Sequence, residues 1–259
     1  MVAHRTQLVT MSQLPGKLLE TFSLADFPAD WPYDEEDMSR LDETADIQFY
    51  GAPRFVTHID DGAIGAVTEF YRQALPEGAD VLDICSSWIS HLPKEKPLGR
   101  VVALGMNARE LEANERATEW VQADLNTSPK LPFDDGSFDA VLNVVSVDYL
   151  CQPREIFAEM HRVLRPGGCA IMSFSNRCFP SKAVQVWLAN GDQGRRRIVG
   201  SYFALSPKDG WADIKSYDIT GIGKNVFEGQ NPLVAAALNL LKNSVGDPMF
   251  VVTARKKEQ

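Results

Sequence analysis

The chain has 259 residues, 44% hydrophobic and 24% charged, with a net charge of −9 and a pI near 5.0. That length allows one large α/β domain with additions, and the acidic balance argues against a nonspecific nucleic-acid binder, which carries a basic field. No apolar run reaches transmembrane length, so a membrane role is not expected.

Residues 1–48 read as an N-terminal arm, partly irregular. Residues 1–20 lack the apolar core of a secretory signal and hold no acid before Glu20. Acids and prolines dominate the rest of the arm, with Phe22, Phe27 and Trp31 as candidate anchors or as parts of a loose tail. A main domain is expected over 49–259. Asp60 and Asp61 can cap a helix over 63–75, whose apolar residues Ile64, Val67, Phe70, Tyr71 and Ala74 share one face.

Val81 to Cys85 reads as the first strand, apolar except for Asp83. Ser86 or Ser87 can cap a helix of about two turns, stopped by Pro93 and Pro97. Strand, tight turn and helix is how an α/β nucleotide site begins. The usual glycines are replaced by Cys85, Ser87 and Ile89.

Further strands are expected at Arg100–Leu104, Trp120–Ala123, Phe138–Val145 and Cys169–Phe174. Helices are expected at 110–117 and from Pro153 to Arg165. Ser181 can cap a helix to Asn190, and a further helix covers roughly 193–204. Two late strands follow, Trp211–Thr220 and Met249–Ala254. An apolar helical segment near 221–247 is inserted between them.

Alternating strands and helices imply a doubly wound parallel sheet. The landmarks are more specific: Asp83 and Asp124 at strand ends, then Leu131-Pro132-Phe133, Asp135-Gly136-Ser137-Phe138-Asp139-Ala140-Val141 and Leu164-Arg165-Pro166-Gly167-Gly168. Over residues 62–255 the chain resembles the class I S-adenosylmethionine-dependent methyltransferases of the UbiE-like, methyltransferase type 11-like kind. It looks like a divergent subgroup with a CSSW-x-S-H segment in place of the glycine loop.

The resemblance implies a seven-stranded Rossmann-like sheet of order 3-2-1-4-5-7-6, with only the strand beside the fifth antiparallel. It implies S-adenosyl-L-methionine as cofactor. Asp83, Cys85, Ser86 and Ser87 would face its methionine part. Gly105, Met106 and Asn107 would lie along ribose and adenine, Asp124 and Leu125 at the adenine edge, and Asn143, Val144 and Val145 at the floor. The usual ribose-binding acid is absent, with Asn107 in its place and Glu110 nearby.

His58, Asp148 and Tyr149 are the candidate catalytic residues, because each falls where the carboxyl edge of the sheet should be. His91 reads as a surface or capping histidine, and Trp88 as core. Cys85, Cys151 and Cys178 follow strands on that same edge. They are either small apolar groups or a soft-metal set, and no metal ligand is assigned. The absence of C-x-x-C spacing fits a reducing compartment. A cytoplasmic location is expected, with an organelle such as a plastid left open.

The reading is methyl transfer to a small molecule, with no nucleic-acid or membrane partner. The alternative is a methyltransferase-like binding or scaffold protein that has lost cofactor affinity.

Overall fold

A computed structural model describes residues 14–223 and 246–258. Among the described residues eight strands form one sheet: β1 (Lys17–Phe22), β2 (Val81–Ile84), β3 (Val101–Gly105), β4 (Glu119–Gln122), β5 (Phe138–Val144), β6 (Leu164–Phe174), β7 (Trp211–Asp218) and β8 (Phe250–Lys256). Their order is β1-β7-β8-β6-β5-β2-β3-β4.

The central strands β2 and β3 are buried at every residue, as parallel strands covered on both faces should be. Leu82 and Ile84 join the core on one face of the sheet, and Val81 joins the core on the other. That is the alternation a two-residue period demands.

The seven strands from β2 to β8 keep the expected order. The correction is at the edge. Lys17–Phe22, read as part of an irregular arm, adds an eighth strand antiparallel to β7. Two strands, β8 and β1, therefore run against the rest, where one was expected. The remainder of the arm is held by its aromatics. Trp31 stacks on Tyr202 at 5.6 Å, and the Tyr33 hydroxyl lies 2.7 Å from Ser201 Oγ. Arg196 and Arg197 both pair with Glu20 of β1, which helps to fasten the arm.

Helix α1 is the single turn Glu35–Met38, and α2 is Asp46–Tyr50. Helix α3 (Asp61–Ala74) starts where the Asp60 carboxylate accepts the Ala63 N–H, and it buries Ala63, Ala66, Val67, Phe70, Tyr71 and Ala74. Helix α4 is short (Ala108–Glu112) and begins earlier than its apolar pattern suggests. Helix α5 (Pro153–Val163) has proline at its start, where a missing N–H costs nothing. Helices α6 (Gln185–Leu188) and α7 (Asp192–Leu205) complete the set among the described residues. The segment expected to be helical near 221–247 falls mostly outside them.

The helix expected after Ser86 does not form, and residues 85–100 cross from β2 to β3 without one. Ser86 spends its hydroxyl on Asp83 at 2.6 Å instead of capping. Pro93 and Pro97 leave too little chain for a helix to repay its nucleation.

Part of the sequence signature is structural. Arg165 donates to Asp139 at 2.6 Å and to Asp80 at 2.8 Å, tying the β2, β5 and β6 region together. Arg162 donates to the carbonyls of Leu131 and Phe133, which fastens the loop before β5. Among the described residues no helix is long and apolar enough to cross a membrane.

Candidate active site

At the carboxyl edge of the parallel strands lies a cavity of about 390 Å³, within the range small-molecule sites occupy. Its first wall is the turn after β2. Cys85 adopts φ +54°, a left-handed conformation that glycine would adopt without strain. The Ser86 N–H then donates to the Leu104 carbonyl at 2.8 Å, drawing the turn against the end of β3. Gly105 permits that approach, since a Cβ there would sit 2.1 Å from the Ser86 carbonyl oxygen. Below the turn Asp83 is 2% exposed, and burial pushes its carboxyl up to about 7.

The second wall follows β3. Asn107 is fully committed to structure. Its Oδ1 accepts the N–H groups of Arg109 (3.1 Å) and Glu110 (3.3 Å), capping α4. Its Nδ2 donates to the carbonyls of Tyr50 (3.1 Å) and Gly51 (3.0 Å). Glu110, one turn on, lines the cavity. Its Oε1 accepts the Arg54 N–H at 2.6 Å, and partial burial raises its carboxyl pKa.

After β4, Asp124 folds back on its own turn and accepts from the Asn126 N–H and the Thr127 hydroxyl. Leu125 beside it is 4% exposed. After β5, Val145 lines the cavity at φ +44°, unusual for a β-branched residue and of the kind that gathers at functional sites.

The roof is residues 50–59. Besides the Asn107 and Glu110 bonds, the Trp88 indole N–H donates to the Val56 carbonyl at 3.1 Å. Trp88 is thus half-buried as a roof support, not core. Phe179, following β6, meets the roof with His58 at 5.5 Å and Phe49 at 5.2 Å.

The cofactor candidates Asp83, Cys85, Ser86, Ser87, Gly105, Met106, Asn107, Asp124, Leu125, Val144 and Val145 all line this one cavity. Asn143 does not. It lies inside the sheet and donates to the Ile84 carbonyl at 3.2 Å, just below the Cys85 turn. Of the catalytic candidates, His58 and Tyr149 line the cavity and Asp148 does not. Val147–Tyr149 is a 3-10 turn, which sends successive side chains in different directions and buries Asp148. Burial pushes the Asp148 carboxyl up to about 7.

His58 sits at the rim, with its pKa lowered first by loss of water and then by Arg54. His91, read as a surface or capping residue, lines the cavity, and its pKa is pushed down to about 4, mainly by burial. Cys85 and Cys178 line the cavity while Cys151 lies outside it. No cluster suited to a metal occurs among the described residues. Burial raises the Cys85 thiol to about 12.

Tyr50, Arg54 and Asp46 are lining residues that strand-end reasoning passed over or underweighted. Only the path of the roof brings them in. Among the described residues the Tyr50 hydroxyl, Arg54 Nη1 and His91 Nδ1 are buried polar atoms without a hydrogen-bond partner, and all three residues line the cavity. Unpaired buried polar groups are costly, and a polar ligand would satisfy them.

Residues 85–172, which carry the Cys85 turn and the ends of β3, β4 and β5, match the family model described as a methyltransferase domain. Over these residues the chain is similar to the class I S-adenosylmethionine-dependent methyltransferase superfamily. Within that superfamily it is 28% identical over 167 residues to an uncharacterized methyltransferase of Mycolicibacterium vanbaalenii, covering 61% of this chain and 62% of that one. It is 34% identical over 133 residues to the ubiquinone/menaquinone biosynthesis C-methyltransferase UbiE of Hahella chejuensis, covering 45% and 52%. The matches thus span about half to three-fifths of these relatives' length. Among solved structures the [4+2]-cyclase SpnF superposes with a TM-score of 0.53 at 16% identity, over 82% of this chain and 92% of that one. A cyclase on this fold shows that the fold does not assign the reaction; the site must.

Proposed function

We propose that this chain binds S-adenosyl-L-methionine in the cavity and transfers its methyl group to a small molecule. The observation that carries the reading is the Cys85–Ser87 turn packed against Gly105. It supplies at the end of β2 the close backbone approach that a glycine loop provides elsewhere. The turns after β3, β4 and β5 open into the same space, as expected of a ligand site in a doubly wound sheet.

When bound, the cofactor would supply a methyl group activated by its sulfonium. The chain's own part is to bind, orient and exclude water. Cys85, Ser86 and Ser87 would hold the methionine end. Leu125 and Met106 would flank the adenine. Asn107 is spent on α4 and the roof, so the ribose would fall to Glu110, whose Oε1 is fixed by the Arg54 N–H. His58 and Tyr149, on the acceptor side, are the groups positioned to accept or orient a proton. The depressed His58 pKa keeps its imidazole neutral at pH 7, with a lone pair free to accept a proton. A cavity of this size with aromatic and polar walls suits a small, partly apolar acceptor.

Isothermal titration with S-adenosylmethionine and S-adenosylhomocysteine tests the reading. Both should bind, and Glu110→Gln should weaken them about 10- to 150-fold, the range of a lost charged hydrogen bond. No heat and no thermal shift at millimolar ligand would leave the scaffold reading in its place.

A further inference from the structure

Arg54 differs from the other cations around the cavity. Arg177 at the rim pairs with Asp247 at 2.8 Å. Arg40 and Lys182, behind the wall, both pair with Asp46, at 2.6 and 3.3 Å. Arg54 has no carboxylate within ion-pair distance among the described residues. Glu110 accepts the Arg54 backbone N–H, and the guanidinium acts on that carboxylate only from beyond ion-pair distance.

The guanidinium is nonetheless fixed. It lies 4.4 Å over the Phe49 ring and 5.7 Å from that of Phe179, and Nη2 donates to the Phe49 carbonyl at 2.8 Å. Nη1 is buried with no acceptor among the described residues. A pre-oriented guanidinium with a spare donor is matched by a carboxylate, which takes charge and hydrogen bond together. The adjoining walls, Phe179 and Tyr149, would hold the body of such a ligand.

We infer that Arg54 is the cavity's receptor for a carboxylate group. This rests on the methyltransferase reading, under which the carboxylate has two sources: an acidic methyl acceptor, or the amino-acid head of the cofactor. In the first case the acceptor class is a small, partly aromatic carboxylic acid.

The test compares wild type, Arg54→Met and Arg54→Lys by calorimetry and thermal shift. One pair of probes is S-adenosylhomocysteine against 5′-methylthioadenosine, which lacks the amino-acid head. The other is benzoate against benzamide, with and without saturating nucleoside. If the acceptor is the acid, wild type prefers benzoate. Arg54→Met then loses that preference about 10- to 150-fold, Arg54→Lys recovers part of it, and S-adenosylhomocysteine binding holds. If the cofactor supplies the carboxylate, the preference for S-adenosylhomocysteine over 5′-methylthioadenosine collapses instead. Either result supports the receptor. It is overturned if wild type prefers neither carboxylate, or if Arg54→Met leaves both preferences within about twofold, too small for a lost charged bond. Should neither nucleoside bind wild type, the cofactor reading fails separately, and benzoate against benzamide still decides for Arg54.

Discussion

Asp83→Asn isolates the energetics of a buried acid at the head of the site. Asp83 is 2% exposed, its Oδ2 accepts the Ser86 hydroxyl at 2.6 Å, and burial lifts its carboxyl to about 7. The ordinary aspartate value is about 3.9. A carboxyl whose pKa rises on folding binds protons more tightly in the native state, so stability falls as pH rises through the interval between the two values. Below about pH 4 there is no penalty, and above about pH 7 the penalty is complete at about 4 kcal/mol. Asparagine keeps an acceptor for Ser86 and does not titrate. The variant should therefore gain on wild type by about 3 kcal/mol between pH 4.5 and pH 8, whatever constant offset the substitution adds. Urea unfolding at pH 4.5, 6 and 8 measures this. A wild-type-to-variant difference that is flat with pH would refute the reasoning, because it would mean that Asp83 is already ionised in the native state.

Gly105→Ala places a Cβ against the Ser86 carbonyl, so overpacking of about 1–3 kcal/mol and a loss of S-adenosylhomocysteine binding are expected in melts and titrations. Cys85→Gly removes a left-handed strain of about 1–2 kcal/mol and restores about 0.5–1 kcal/mol of glycine entropy. The variant should thus be as stable as wild type or slightly more so in chemical denaturation, and a loss above about 1 kcal/mol would contradict that. Lys182→Met cuts a fully buried ammonium from Asp46, Asp42 and the Thr44 carbonyl. A destabilisation of about 3–5 kcal/mol is expected, with residues 39–50 becoming more open to proteolysis. Wild-type protease resistance in that segment would show that the arm is held by its aromatics alone.

The sequence by itself determined the order of the seven strands β2 to β8, the edge that carries the cavity, and most of the strand-end residues gathered there. Those features are local: apolar runs with a two-residue period, strand-end acids and turn chemistry are written in neighbouring residues. Helix α3 was legible for the same reason, with its cap and stripe both within one segment. Tertiary structure alone decided what the polar groups do. Asn107 reads as a ligand contact, yet its partners are its own helix and two carbonyls more than fifty residues upstream. Asp148 and Tyr149 are adjacent in sequence, and the turn buries one while opening the other to the cavity. Lys17–Phe22 has a weak strand pattern and becomes a strand only because β7 offers an open edge. Arg54 has no local signature at all. That its guanidinium makes no ion pair with a described carboxylate is a property of how the roof packs, and contacts between segments distant in the chain leave no periodicity to read.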